Sequence, residues 1–150
     1  MALKLSTSTR TALAGTNCLK TIFQGGVLDI YSGGQPASAD YAETGTKLVR
    51  VTIGSVVWGT NATMGLTFGT AAAGQLPKSA SVWSGTVGVA GVAGYFRLYG
   101  TGGTAGTSVS ENRVDGNVGV SGSDLVLANT SLVAGATLTI DTFTLEVPAS

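Results

Sequence analysis

The sequence predicts an all-β domain, an antiparallel sandwich or barrel preceded by a short helical segment. Three observations carry this expectation. Short runs of alternating apolar and polar residues recur from Val27 to Val147, divided by Gly and Thr. No strand–helix–strand alternation is present to support a parallel sheet. Gly, Ser and Thr fill 58 of the 150 positions, which suits turns and hydroxyl-covered strands.

The first 26 residues form the helical arm. Ser8 or Thr9 is placed to cap a helix, since a hydroxyl accepts from the orphan N–H groups of a first turn. Ala12, Leu19, Ile22 and Phe23 then share one helical face, and Gly25-Gly26 supplies the stop. Gly15 weakens the middle and leaves open a split into two short helices.

Strands follow over 27–147. Val27-Leu-Asp-Ile-Tyr31 alternates, as does Leu48-Val-Arg-Val-Thr-Ile53, which runs on to Val56-Val57-Trp58. Ser81-Val-Trp83 with Val87 to Val89, and Tyr95-Phe-Arg-Leu-Tyr99, give two more. Asp115-Gly116 between Val114 and Val118 reads as a two-residue hairpin, and Val118, Val120, Leu125 and Leu127 continue the pattern. Leu138 to Val147 alternates over ten residues, but its apolar side changes midway. A strand buried on opposite sides along its length, or a bulge, accounts for that change. Ser32–Gly45 has Pro and Gly without periodicity and reads as a long ordered excursion, whereas Gly100–Ser108 reads as low-complexity and flexible.

Composition excludes several chemistries. There is no His, so His-based triads, acid–base work and metal ligation are absent. One Cys makes neither a disulfide framework nor a thiolate zinc site. Eight Lys/Arg balance eight Asp/Glu, and no basic patch repays nucleic-acid phosphates. Charged residues are 11% of the chain, against roughly 25% in an average soluble domain. A neutral surface of this kind associates readily, so much of it is expected to lie under other subunits; an ordinary monomer solubilised by Ser and Thr is the alternative. No leader pattern is visible and the longest weakly polar run, Gly85 to Tyr95, is half a membrane span. The chain is therefore expected to be made in a cytoplasm, with no membrane partner.

No motif rises to a catalytic or cofactor site. Gly100, Gly102, Gly103 and Gly106 superficially match a dinucleotide fingerprint, but β-prone Ser108-Val-Ser110 follows where a helix should open. Gly74-Gln-Leu-Pro-Lys78-Ser79 lacks the second glycine of a P-loop. The eight acids are scattered, several of them at turn positions, which disfavours the paired carboxylates of a glycosidase. Asp115, Asn117 and Asp124 match no cation-loop spacing, and Cys18 reads as a small apolar residue. Trp58 and Trp83 are each flanked by Val, which favours packing over sugar stacking. Basic residues gather in the first 50 positions, while residues 111–150 hold five acids and one base.

Leu3-Lys-Leu-Ser-Thr, Leu13 to Leu19-Lys20, Val27-Leu-Asp-Ile-Tyr-Ser-Gly33, Gln35-Pro-Ala-Ser-Ala-Asp40 and Ala42-Glu-Thr-Gly45 together resemble an N-terminal pattern of small tailed-bacteriophage structural proteins. The resemblance covers about a third of the chain. It implies a virion component, and in size and composition the chain is similar to head decoration, or cement, proteins. Those are often jelly-roll sandwiches that oligomerise on the capsid exterior and clamp neighbouring capsomers. No catalytic residue, metal or cofactor comes with that role.

The resulting expectation is a single domain over 1–150, a jelly-roll-like sandwich behind a helical arm, located on the capsid surface. Its partners would be the major capsid protein and copies of itself, as a homodimer or trimer. Contacts are expected from Arg10 and Lys20 of the arm, Tyr31, Gln35, Pro36 and Tyr41 around the excursion, and Trp58 and Trp83. Two other readings stay open: a tail, collar or fibre component with a glycan- or receptor-binding sandwich, and a lysin-like enzyme with two carboxylates converging in a cleft.

Overall fold

The computed structural model describes residues 3–56 and 65–147. Within them the fold is mostly β, sandwich-like and built from antiparallel pairs with one short parallel exception, with two short helices near the N-terminus. Strand β1 (Lys4–Leu5) leads into α1 (Thr7–Ala14) and α2 (Leu19–Phe23). The cap of α1 is Ser6, ahead of the Ser8 or Thr9 expected: its Oγ accepts from Thr9 N at 3.2 Å. Ser6 takes the role because it is buried against β7 (Arg113–Gly119), where its Oγ also donates to Glu111 O and accepts from Arg113 N. Ser8 instead bonds Asn112. The arm breaks at Gly15, whose N–H closes back onto Thr11 and Ala12 carbonyls.

Gly25-Gly26 ends α2 and does more. A Cβ on Gly26 would lie 2.0 Å from the Tyr99 carbonyl oxygen. The pair also exchanges hydrogen bonds with Leu66, both at 2.8 Å. A backbone crossing this close admits only glycine.

The main sheet then takes in β2 (Val27–Ser32), β3 (Lys47–Ile53), β5 (Trp83–Thr86), β6 (Gly91–Tyr99) and β10 (Thr137–Ile140). Its order is β1-β7-β6-β2-β3-β5-β10. Two-residue β8 (Leu125–Val126) lies parallel to β7, and β9 (Ser131–Leu132) pairs with the start of β6. A second, two-stranded sheet joins β4 (Gln75–Pro77) to β11 (Thr144–Glu146).

One face of the main sheet is apolar. Leu28, Ile30, Val49, Val51, Phe96, Leu98 and Val114 alternate onto it and are buried. They pack with Phe23, Leu66, Phe68, Trp83, Phe143 and Leu145 in one cluster. Edge-on ring contacts tie the layers, Phe68 to Trp83 at 5.2 Å and Phe96 to Phe143 at 5.4 Å.

Three local expectations are corrected. Asp115-Gly116 is not a turn but the middle of β7, since Asp115 is buried in an ion pair and the Phe96 ring fills the space of a Gly116 side chain. The C-terminal run is two strands, not one. Its apolar face changes because β10 pairs with β5 whereas β11 pairs with β4, with buried Phe143 at the crossing. The Gly100–Ser108 segment is tied by backbone bonds: Gly106 N to Glu43, and Thr104 and Gly106 carbonyls to Arg113. Val57 and Trp58 lie outside the described residues.

Candidate functional site

The other face of the same sheet is ionic. Alternation in β2, β3, β6 and β7 turns Asp29, Arg50, Arg97 and Asp115 to one side, and the strand register sets them in a row with Lys4 of β1. The charges alternate across five strands: Arg50, Asp29, Arg97, Asp115, Lys4. Asp29, Arg97 and Asp115 have no exposed surface.

Pairing in the row is bidentate. Arg50 Nε and Nη2 bond the two Asp29 oxygens at 2.7 and 2.6 Å, and Arg97 Nε and Nη2 bond those of Asp115 at 2.6 and 2.7 Å. Two parallel N–H donors match a carboxylate fork, and this satisfies lone pairs that burial would otherwise strand. Lys4 turns aside to donate to Pro36 O.

A layer of tyrosines flanks the row. Tyr31 and Tyr95 stack with centroids 5.0 Å apart, and Tyr31 OH meets Tyr99 OH at 3.2 Å. Arg113 lies over the Tyr99 ring at 5.6 Å.

Two loops roof this face. From the Ser32–Gly45 excursion, Glu43 reaches Arg97 Nη1 at 2.8 Å and accepts from Tyr99 OH at 2.5 Å and Gly106 N at 2.8 Å. Arg97 Nη1 also donates to Tyr41 O, and Tyr95 OH exchanges bonds with Thr44 N and O. Asp40 accepts from Thr7 N and Oγ1, so it holds the first turn of α1 to the excursion. Ser108 N donates to Asp40 O, linking the second loop to the first.

Titration behaviour follows this geometry. Burial raises the Tyr31 and Tyr99 hydroxyls well above the ordinary tyrosine range, with Glu43 adding to the rise at Tyr99. Burial would also raise Glu43, but donors from Tyr99, Gly106 and Arg97 outweigh it and hold the carboxyl below its usual value. Burial opposes the Arg97 cation, yet the Asp115 and Glu43 bonds prevail and push it up. Burial likewise raises Asp115, against the pull of the Arg97 guanidinium. Most polar atoms of the cluster are bonded within it or to loop backbone, Arg113 Nε being buried without a partner. The cluster's work is to pin two irregular loops to a regular sheet.

The scattered-acid expectation is therefore revised. Asp29 and Asp115 sit in strands, and Glu43 and Asp115 converge on one guanidinium. They are packed inside the structure and not presented in an open cleft, since Asp29 and Asp115 have no exposed surface and the Glu43 side chain is only 10% exposed. Asn117 and Asp124 bond each other's backbone N–H groups, apart from Asp115. Among the described residues no His/Cys/Asp/Glu group could hold a metal ion, and no helix is long and apolar enough to cross a membrane.

The expected contact residues are dispersed. Arg10 is exposed on α1 and Lys20 is half-buried with Nζ on Gly69 O. Tyr31 belongs to the ionic face, and Pro36 is buried beside half-buried Gln35. Trp83 has no exposed surface and packs against Phe68 and Phe143, so it has none to offer a sugar or a neighbouring subunit. Trp58 lies outside the described residues. Tyr41 is 55% exposed on the roof, and Val109 is 66% exposed on the adjoining loop.

Eight residues of the ionic face escaped the sequence reading: Asp29, Glu43, Arg50, Tyr95, Arg97, Tyr99, Arg113 and Asp115. A signal was present in the strands. Val-Leu-Asp-Ile-Tyr, Leu-Val-Arg-Val-Thr and Tyr-Phe-Arg-Leu-Tyr each carry one central charge between apolar neighbours. No family model, curated protein or solved structure matches the chain.

Proposed function

We propose that this chain is a structural subunit of a tailed-phage virion, a head decoration protein of cement type that binds the major capsid protein and copies of itself. One observation carries the reading. Of sixteen formal charges, four are fully buried and Glu43 nearly so, spent on joining strand to strand and holding loops to the sheet. The remaining charges are spread thinly over a surface of hydroxyls, Gly, Ala and valines, with Val82, Val92, Val109, Val120 and Val133 each more than half exposed. Such a surface is costly for a free monomer and suited to coverage by neighbours. The resemblance of residues 3–45 to phage structural proteins supports the same role.

Contact would centre on the roof. Tyr41 is an exposed aromatic whose own carbonyl is held by buried Arg97. A pre-ordered aromatic loses little conformational freedom on binding and makes a good anchor. Across a symmetric shell, many modest contacts of this kind add up. Particles prepared without the protein should break at lower temperature and at higher salt than complete ones. Equal robustness of the two under heat and low salt overturns the reading.

A further inference from the structure

The two ends of the main sheet are finished differently. At one end β1 is two residues long, carries Lys4 and is followed at once by α1. A short lysine-bearing edge guards against pairing with another chain. At the other end β10 reads Thr-Leu-Thr-Ile, without charge, proline or glycine.

Hydrogen bonds along β5 and its continuation tell which groups of β10 are already used. Even-numbered residues face β3: Gly54 N donates to Val82 O, and Gly88 N to Leu48 O, both at 2.9 Å. Val87 turns the other way, donating to Ala136 O and accepting from Gly135 N at 2.8 Å. By alternation Trp83 and Gly85 bond Ile140 and Leu138, the residues they oppose. Thr137 and Thr139 therefore turn their N–H and C=O groups outward, and no strand among the described residues lies beyond them. Alongside runs a groove of about 270 Å³, lined by Leu138, Thr139, Val126 and Val133 among others.

We propose that β10 is an open docking edge for β10 of a second copy, the two strands pairing antiparallel across a two-fold axis so that one sheet runs through both subunits. The edge is self-complementary. With zero net charge the copies do not repel at long range, and a two-fold contact uses the same patch on both sides. Pairing centred on Leu138 sets Thr137 opposite the second copy's Thr139, both with outward N–H and C=O groups, a favourable cross-strand match. In that register Asp141 lies opposite the second copy's Gly135, so the two acids do not meet. Exposed Val126 and Val133 beside the edge would be covered as well. The proposal rests on the decoration reading only in taking a second copy as the occupant.

The test uses the purified full chain in sedimentation equilibrium and amide hydrogen exchange. The wild type should be a dimer, with the Thr137 and Thr139 amides gaining protection as protein concentration rises. Thr139→Pro removes an outward N–H that the subunit's own ladder does not use, and Thr139→Lys adds the missing guard charge to an exposed position. Each should weaken association at least tenfold with an unchanged far-UV circular dichroism spectrum. If the proline variant misfolds, the lysine variant decides. A wild type that stays monomeric at high micromolar concentration overturns the proposal, and so does a dimer that persists in Thr139→Lys with both amides unprotected. Either result leaves the decoration reading standing, because that is read separately from the stability of particles.

Discussion

Replacing Arg97 by Met tests the ionic face at its centre. Arg97 is fully buried and holds both oxygens of Asp115, one of Glu43 and the carbonyl of Tyr41. Methionine fills most of the stem's volume but leaves the Asp115 carboxylate buried without its partner. Breaking a buried pair from one side costs about 3–5 kcal/mol. The lost bonds to Glu43 and Tyr41 O add on the order of 1 kcal/mol each. The total, roughly 5–7 kcal/mol, rivals the whole stability of a domain, about 5–15 kcal/mol. Urea unfolding followed by the fluorescence of buried Trp83 measures it. The paired change Arg97→Met with Asp115→Leu should recover several kcal/mol of the loss, since an apolar pair of similar volume leaves no stranded charge. A single-variant cost under about 1 kcal/mol, or costs that simply add in the double variant, would refute the reasoning.

Other outcomes follow from the same contacts. Ser6→Ala removes a buried hydroxyl that serves Thr9 N, Arg113 N and Glu111 O; a loss of about 1–2 kcal/mol in urea unfolding is expected. Glu43 has a folded-state pKa below its ordinary value, so its contribution is present above that ordinary value and fades as pH falls through the folded one. The stability gap between wild type and Glu43→Gln should therefore hold at neutral pH and shrink as pH falls below the ordinary glutamate value of about 4.3, and a gap that widens on acidification contradicts the ionised assignment. Tyr41→Ala should change stability by less than about 0.5 kcal/mol yet lower occupancy on particles, measured by densitometry of sedimented heads.

Much of the fold was legible because its signals are local. Alternation located β2, β3 and β6, and Gly15 and Gly25-Gly26 marked the ends of the helices. The ionic face was not, because it depends on which strands become neighbours. Asp29 meets Arg50 and Arg97 only through pairing of β2 with both β3 and β6. Asp115-Gly116 misled for a related reason. Its turn chemistry is genuine, but a buried guanidinium across the strand outweighs a local preference. Of the expected contact residues, Tyr41 keeps the exposure a contact needs, whereas Trp83 lost it to the core, as an aromatic flanked by valines often does.

The most direct measurement of the central claim is electron microscopy of the particle whose genome encodes this chain, at a resolution that traces strands. The account predicts density for this fold on the outer face of the head, astride joints between capsomers, with Tyr41 turned to its neighbours. Complete particles that hold no copy of the chain, or hold it only in the tail, would contradict it.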